Sequence, residues 1–233
     1  MFDKASALSE GRRDMPLISF EGSEGCGKST QVALLAASLE EAGFRAVVLR
    51  EPGGTAIGES IRHLLQHDEK NFAMTPETEL LLFEASRSQL VREKIAPALA
   101  RREIVICDRY FDSTTVYQGA ARRLDFAMVE TLNRFAVGAY LPALTILLDL
   151  DRTTALSRMS ARRLRDRMEE QPEEFYQRVT DAYRALARSE KDRVILFKGG
   201  QAVEEIAREI RETVWQRLSL PPVQNPAAEN KCV

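Results

Sequence analysis

Eight consecutive residues, Gly22-Ser23-Glu24-Gly25-Cys26-Gly27-Lys28-Ser29, constrain this chain more than any other segment. They fit G-x-x-x-x-G-K-[ST], the pattern of a glycine-rich turn that joins a strand to a helix and cradles phosphate. The flanks suit that geometry. Leu17-Ile18-Ser19-Phe20 is a short apolar run of the kind a buried strand needs, and Val32, Leu34, Leu35 and Leu39 begin a helical pattern. Glycine lacks the Cβ that would keep backbone N–H groups from converging on phosphate oxygens, and a helix N-terminus adds positive partial charge. The residues from Gly22 through Ser23, Glu24, Gly25, Cys26, Gly27, Lys28 and Ser29 to Thr30 are therefore the expected cradle for a nucleoside triphosphate. Lys28 would reach the outer phosphates, and the Ser29 hydroxyl would hold Mg²⁺.

The rest of the chain alternates strand-like and helix-like stretches. Nearly continuous apolar runs at 17–21, 46–50, 104–107, 145–148 and 194–197 read as strands covered on both faces. Helical patterns occupy 29–41, 56–66, 76–100, 126–137, 152–160, 172–188 and 202–218. Such alternation implies a parallel sheet with right-handed crossovers, and ligands then bind at the carboxyl ends of the strands. No internal repeat is visible. Residues 1–14 read as a loose arm, and the Pro-rich, aperiodic stretch after Leu220 reads as a disordered tail.

The strand ends carry the remaining chemistry. The second strand runs into Arg50-Glu51-Pro52-Gly53-Gly54-Thr55, a tight loop before a helix that Thr55 would cap. Such a rim loop would take a phosphate or sugar, or be a plain turn. The third ends in Asp108-Arg109-Tyr110. Asp108 suits Mg²⁺ or proton acceptance, and Arg109 suits a bidentate phosphate contact. Thr114 and Gln118 are four residues apart, so on a helix they would share a face and read one base edge, with Tyr117 beside them. Phe83 and Arg87 have the same spacing, which would suit a base-stacking pair but on spacing alone reads as core packing with a solvated arginine. Arg158, Arg162, Arg163, Arg165 and Arg167 crowd one short stretch. A solvated helix face would look this way, and so would a cationic flap over polyphosphate. The loop between Gly22 and Gly27 has no arginine, so a cation to assist Lys28 would come from elsewhere. His63 and His67 are four apart, but nothing near completes a metal site, and they read as surface or half-buried residues.

Bulk properties exclude several alternatives. Lys and Arg total 33 against 35 Asp and Glu, a net charge of −2, so no global field draws the chain to nucleic acid or membrane. The three cysteines, Cys26, Cys107 and Cys232, lack framework spacing and imply a reducing compartment. No apolar run approaches the roughly 20 residues of a membrane span, and the polar start lacks a signal-peptide core, so a cytoplasmic protein is expected.

Taken together these residues resemble the thymidylate kinase family of P-loop nucleoside monophosphate kinases, in its bacterial subtype. The resemblance is carried by 20–30, by Arg50-Glu51-Pro52-Gly53-Gly54-Thr55, by Phe83 with Arg87, by Asp108-Arg109-Tyr110 with Ser113 and Tyr117-Gln118-Gly119, and by Asp166-Arg167-Met168-Glu169. It runs from about Pro16 to about Leu218 and departs at Cys26, where family members carry Ala. It implies an α/β P-loop NTPase fold: a five-stranded parallel sheet flanked by helices, with a short Arg-rich lid at about 158–170. One kinase domain would span 15–220, with the arm at 1–14 and the tail at 221–233. It implies transfer of the ATP γ-phosphoryl to dTMP with Mg²⁺, giving dTDP and ADP, and a homodimer. Lys28, Asp108, Arg158 and Arg162 would be catalytic, and Ser29 and Asp108 would hold metal. Glu24, Arg50, Pro52, Phe83, Arg87, Arg109, Thr114, Tyr117 and Gln118 would bind dTMP. Within that set Glu24 approaches the sugar hydroxyl, Phe83 stacks on thymine, Arg87 reads its carbonyl and Tyr117 disfavours a ribonucleotide. The rivals are another nucleotide or deoxynucleoside kinase, a P-loop ATPase or switch, and an inactive nucleotide-binding module.

Overall fold

A computed structural model of the chain describes residues 16–68, 71–160, 167–168 and 171–221. The expected arm at 1–14, nearly all of the expected tail, and most of the Arg-rich segment, Arg162 included, lie outside the described residues. Five strands form one sheet: β1 (Leu17–Glu21), β2 (Ala46–Arg50), β3 (Ile104–Asp108), β4 (Leu144–Asp149) and β5 (Val194–Lys198). Their order is β2-β3-β1-β4-β5, and every pairing is parallel.

Side-chain alternation explains why the strands are apolar throughout. Ile18 and Phe20 of β1, Ile104 and Ile106 of β3, and Ile146 and Leu148 of β4 pack in one cluster with α1 (Lys28–Glu41) and α9 (Val203–Arg217). The intervening residues Leu17, Val105 and Cys107 pack instead with Leu90, Val91 and Ile95. Leu147 joins Phe175, Val179 and Tyr183 of α8 (Glu173–Ser189). With both faces covered, every position of these strands favours an apolar side chain. Thr55 caps α2 (Ala56–Gln66) by accepting the Gly58 N–H at 2.9 Å, as its position before the helix implies.

Two stretches differ from the sequence reading. The expected single helix over 76–100 is α3 (Pro76–Leu90), a π-helical turn (Val91–Ile95) and α4 (Ala96–Ala100). Pro97 lacks an N–H and would crowd the carbonyl four residues back, and a widened turn just ahead of it relieves both problems. A second helical stretch, outside the seven expected, begins as α5 (Phe111–Thr114) and continues as a π turn (Thr115–Ala121). Its Thr, Val and Gly are weak helix formers, and a π turn breaks the 3.6-residue period by which helices are read. The remaining helices, α6 (Phe126–Val137) and α7 (Arg152–Ser160), fall where the periodicity puts them.

Leu39, fully buried in the cluster between the sheet, α1 and α9, anchors the helix that follows the glycine-rich turn. Leu39→Ala is expected to cost about 2–5 kcal/mol in urea unfolding, and a loss under about 1 kcal/mol would contradict this packing.

Candidate active site

β1 ends at Glu21, and the glycine-rich turn begins at Gly22 with φ of 137°. A Cβ there would lie 2.4 Å from the Leu148 carbonyl oxygen, so the turn passes β4 at a distance only glycine allows. Gly27, at φ 95°, opens α1. Lys28 Nζ curls back over the turn and donates to Gly22 O at 3.0 Å and Ser23 O at 2.9 Å. Ser29 Oγ donates to Asp108 Oδ2 at 2.8 Å. That hydroxyl and that carboxylate are hard oxygen donors beside a phosphate cradle, and one or two such protein ligands suit Mg²⁺, which keeps phosphate and water in its remaining positions. The donor set therefore fits the ion.

Register puts Asp108 there. Phe20 pairs with Asp108 across β1 and β3, and the Arg109 N–H donates to Phe20 O at 2.9 Å. Arg109 adopts φ 71°, a left-handed conformation that costs a non-glycine residue about 1–3 kcal/mol. Its side chain lies over the turn, where Nη2 donates to Glu24 Oε1 at 2.8 Å and Nη1 to Ser113 Oγ at 3.0 Å. The Tyr117 hydroxyl donates to both Glu24 oxygens at 2.9 Å, and the Arg109 guanidinium stands 5.1 Å from the Tyr117 ring centre. Arg109, Glu24 and Tyr117 thus form one cluster from three elements. Beneath it Glu21 accepts the Tyr110 N–H and the Ser113 and Tyr183 hydroxyls. Burial, with the nearby Asp112 charge, pushes the Glu21 carboxyl above its usual range.

A cleft of about 640 Å³ opens over these groups. Its walls include Glu24 to Thr30 of the turn, with Asp108 and Arg109 from the end of β3. Phe83, Thr114, Tyr117 and Gln118 form another part, Arg50 and Pro52 of the rim loop a third, and Arg158 a fourth. Arg50 Nη2 is held by both Glu59 oxygens at 3.0 and 2.8 Å, and Arg158 Nη2 donates to Gly199 O at 3.3 Å. The exposed His63 and His67 rings meet edge to face at the end of α2, and neither lines the cleft.

The structure differs over Arg87. It is 1% exposed and is absent from the cleft wall. Nε donates to Glu51 at 2.8 Å, and Nη1 donates to Glu84 at 2.6 Å and Thr114 Oγ1 at 3.0 Å. Two buried carboxylates hold the cation in the interior rather than in the cleft. Glu51 itself lines the cleft, and its Oε1 has no hydrogen-bond partner among the described residues. Burial pushes its carboxyl up to about 7 against the pull of Arg87.

Several site residues escaped the sequence reading. Glu21, Glu51 and Tyr183 are buried supports, and their partners lie far off in sequence. Gln201 and Val203, after β5, and Arg62 of α2 line the cleft. The only cue was their place beyond a strand's carboxyl end or beside the rim loop.

A glycine-rich phosphate cradle at the centre of a parallel sheet, with a second polar and aromatic pocket in the same cleft, defines a P-loop phosphotransferase with room for two ligands in one cleft. Comparison with known proteins agrees. The thymidylate kinase family model matches residues 20–210. A thymidylate kinase from Kosmotoga olearia is 45% identical over 193 residues, covering 83% of this chain and 92% of the relative. One from Geobacter sulfurreducens is 45% identical over 207 residues, covering 86% and 97%. The crystal structure of an Ehrlichia chaffeensis thymidylate kinase superposes with a TM-score of 0.70 at 32% identity, covering 87% of this chain and 99% of that one. The chain belongs to the thymidylate kinase family, and it is an enzyme.

The raised Glu51 carboxyl has a measurable consequence. Between about pH 4.5 and 7 the unfolded chain releases this proton before the folded chain does, so the contribution of Glu51 to stability falls as pH rises through that window. Glu51→Gln removes this component. The stability of the variant relative to the parent, from urea unfolding at several pH values, should therefore climb from pH 5 to 7 and then level. A flat difference would contradict the assignment.

Proposed function

We propose that this enzyme transfers the γ-phosphoryl group of ATP to dTMP, giving dTDP and ADP, with both nucleotides in the one cleft. The observation that carries the reading is continuity. The Lys28–Ser29 cradle and the pocket of Phe83, Thr114, Tyr117 and Gln118 share a single cavity, with Arg109 between them. The Gly22 and Ser23 carbonyls now hold Lys28 Nζ, and phosphate oxygens would replace them as its partners. Arg109 holds the dTMP phosphate so that one oxygen points along the bond to be broken. Arg158 and, by family resemblance, Arg162 neutralise charge on the transferring group. Ser29 Oγ and the Asp108 carboxylate would hold Mg²⁺, which would supply charge neutralisation at the donor phosphates.

On the acceptor side Phe83 stacks on thymine. Thr114 and Gln118 face the base edge, and Arg87, whose charge Glu51 and Glu84 neutralise, donates to Thr114 Oγ1 and so fixes that hydroxyl. Glu24 approaches the sugar 3′-hydroxyl, and Tyr117, packed against Glu24, occupies the room a ribose 2′-hydroxyl would need. Arg50 and Pro52 close the phosphate side. On the donor side Gln201 and Val203 border the cleft beyond β5, where the adenine would lie. The enzyme's task is positioning and exclusion of water, a competing acceptor.

We further infer a cytoplasmic homodimer that needs neither nucleic acid nor membrane. Exposed apolar side chains support a subunit contact: Ile57 on α2, Leu81 on α3 and Phe135 on α6, the last 74% exposed. α3 packs against both other helices, so these residues lie on adjoining elements. Among the described residues no helix is long and apolar enough to cross a membrane.

The direct test supplies ATP, Mg²⁺ and a panel of nucleoside monophosphates and measures ADP formed. dTMP should be the best acceptor. Equal ADP release without any acceptor, or a preference for a purine or cytosine monophosphate, would overturn the reading. Phe83→Ala should raise KM for dTMP roughly 5- to 150-fold, in line with about 1–3 kcal/mol of lost stacking, and an unaltered KM would return Phe83 to a packing role.

A further inference from the structure

Glu79 lies in the first turn of α3, yet it is only 1% exposed. Its carboxylate takes donors from two other parts of the chain. Gln118 Nε2 donates to Oε1 at 2.7 Å. Arg122 donates through Nε to Oε1 at 3.2 Å and through Nη2 to Oε2 at 3.1 Å. Arg167, from the end of the Arg-rich segment, donates through Nη2 to Oε2. Burial works to raise the Glu79 pKa, but Arg122, Gln118 and Arg167 together hold it below the ordinary carboxylate value.

An ionised carboxylate only accepts hydrogen bonds, so the groups facing it must donate. The Gln118 side chain, itself 1% exposed, meets this condition in one way: Nε2 toward Glu79. The amide atom left for a ligand in the cleft is then Oε1, an acceptor. The geometry points to Glu79 as a positioning residue that sets base selectivity, by holding Gln118 with its acceptor toward the base. An acceptor there suits a pyrimidine whose ring nitrogen N3 carries hydrogen, as thymine and uracil do. Placed opposite N3 it repels cytosine, whose N3 offers a lone pair. This inference rests on the reading of the Phe83–Gln118 pocket as the acceptor-base site. The distinction is strong because a buried polar group facing its own kind loses its hydrogen bond without water to replace it.

The test compares kcat/KM for dTMP, dUMP and dCMP in the parent, Glu79→Gln, Gln118→Ala and the double variant Glu79→Gln/Gln118→Glu, with thermal unfolding of each. A glutamine at 79 can donate or accept, so Gln118 becomes free to turn. Glu79→Gln should lower the dTMP:dCMP ratio on the order of tenfold while the dTMP:dUMP ratio stays put, since both bases carry N3–H. General loosening of the pocket would not spare that second ratio. The double variant exchanges amide and carboxylate, keeps the net charge near Arg122 and Arg167, and offers acceptors at 118 in either rotation. It should recover the dTMP:dCMP ratio. A folded Glu79→Gln protein with the parent's dTMP:dCMP ratio overturns the proposal. Should that variant not fold, a folded double variant that uses dCMP as well as dTMP overturns it instead. Gln118→Ala separates the two layers. If it lowers the ratio and Glu79→Gln does not, only the positioning role fails; if it leaves the ratio unchanged, the pocket reading fails as well.

Discussion

The pairing of β1 with β3 is the constraint on which the site depends. With Phe20 opposite Asp108, the turn that follows β1 and the Asp108-Arg109 step that ends β3 emerge side by side. The Ser29–Asp108 hydrogen bond and the Arg109–Glu24 ion pair both follow from that one register. A slip of either strand by one residue would turn Phe20 or Ile106 out of the α1 face and carry Asp108 away from Ser29. Apolar side chains on both faces make such a slip costly, so the core and the chemistry are fixed by the same pairing.

Around this rim the chain spends buried carboxylates on holding cations and hydroxyls. Glu21 gathers Tyr110, Ser113 and Tyr183, Glu51 gathers Arg87, and Glu79 gathers Gln118, Arg122 and Arg167. Removing one member of such a pair strands the other without solvent, which is strongly destabilising even where the intact pair adds little net stability. The gain is geometric. Arg109 and Gln118 arrive at the cleft with partners already fixed, so less freedom is lost when a nucleotide binds. Arg109 carries a left-handed backbone in the bargain, a strain that its N–H bond to Phe20 and its clasp on Glu24 and Ser113 sustain.

Much of this was legible in the sequence, for identifiable reasons. The three central strands read through because both their faces are covered, and the edge strands β2 and β5 read through because they stay apolar even where Val48 and Leu196 are exposed. Their ends were misjudged where a charged residue closes the run: β3 continues to Asp108 and β5 to Lys198 because backbone pairing outlasts the apolar pattern. The Phe111–Ala121 stretch, which carries Thr114, Tyr117 and Gln118, was not foreseen as a continuous helix, because a π turn has no 3.6-residue signature. The motif residues themselves were readable, since a phosphate cradle demands glycine, lysine and a hydroxyl at fixed spacing. Their supports were not. Glu79 and Arg167 are 88 positions apart, and ordinary charge rules assign both to solvent. Spacing beside Phe83 leaves Arg87 in solvent and the family resemblance turns it toward a base; only the fold brings Glu51 close enough to hold it inside.

The central claim is that one cleft brings a triphosphate and a thymine monophosphate end to end. A crystal structure with a non-hydrolysable ATP analogue and dTMP tests it most directly. The account predicts the terminal phosphate of the analogue on Lys28, the dTMP phosphate on Arg109 and facing it, and the thymine ring against Phe83. A dTMP bound outside the Phe83–Gln118 pocket, or with its phosphate turned away from Lys28, would contradict it.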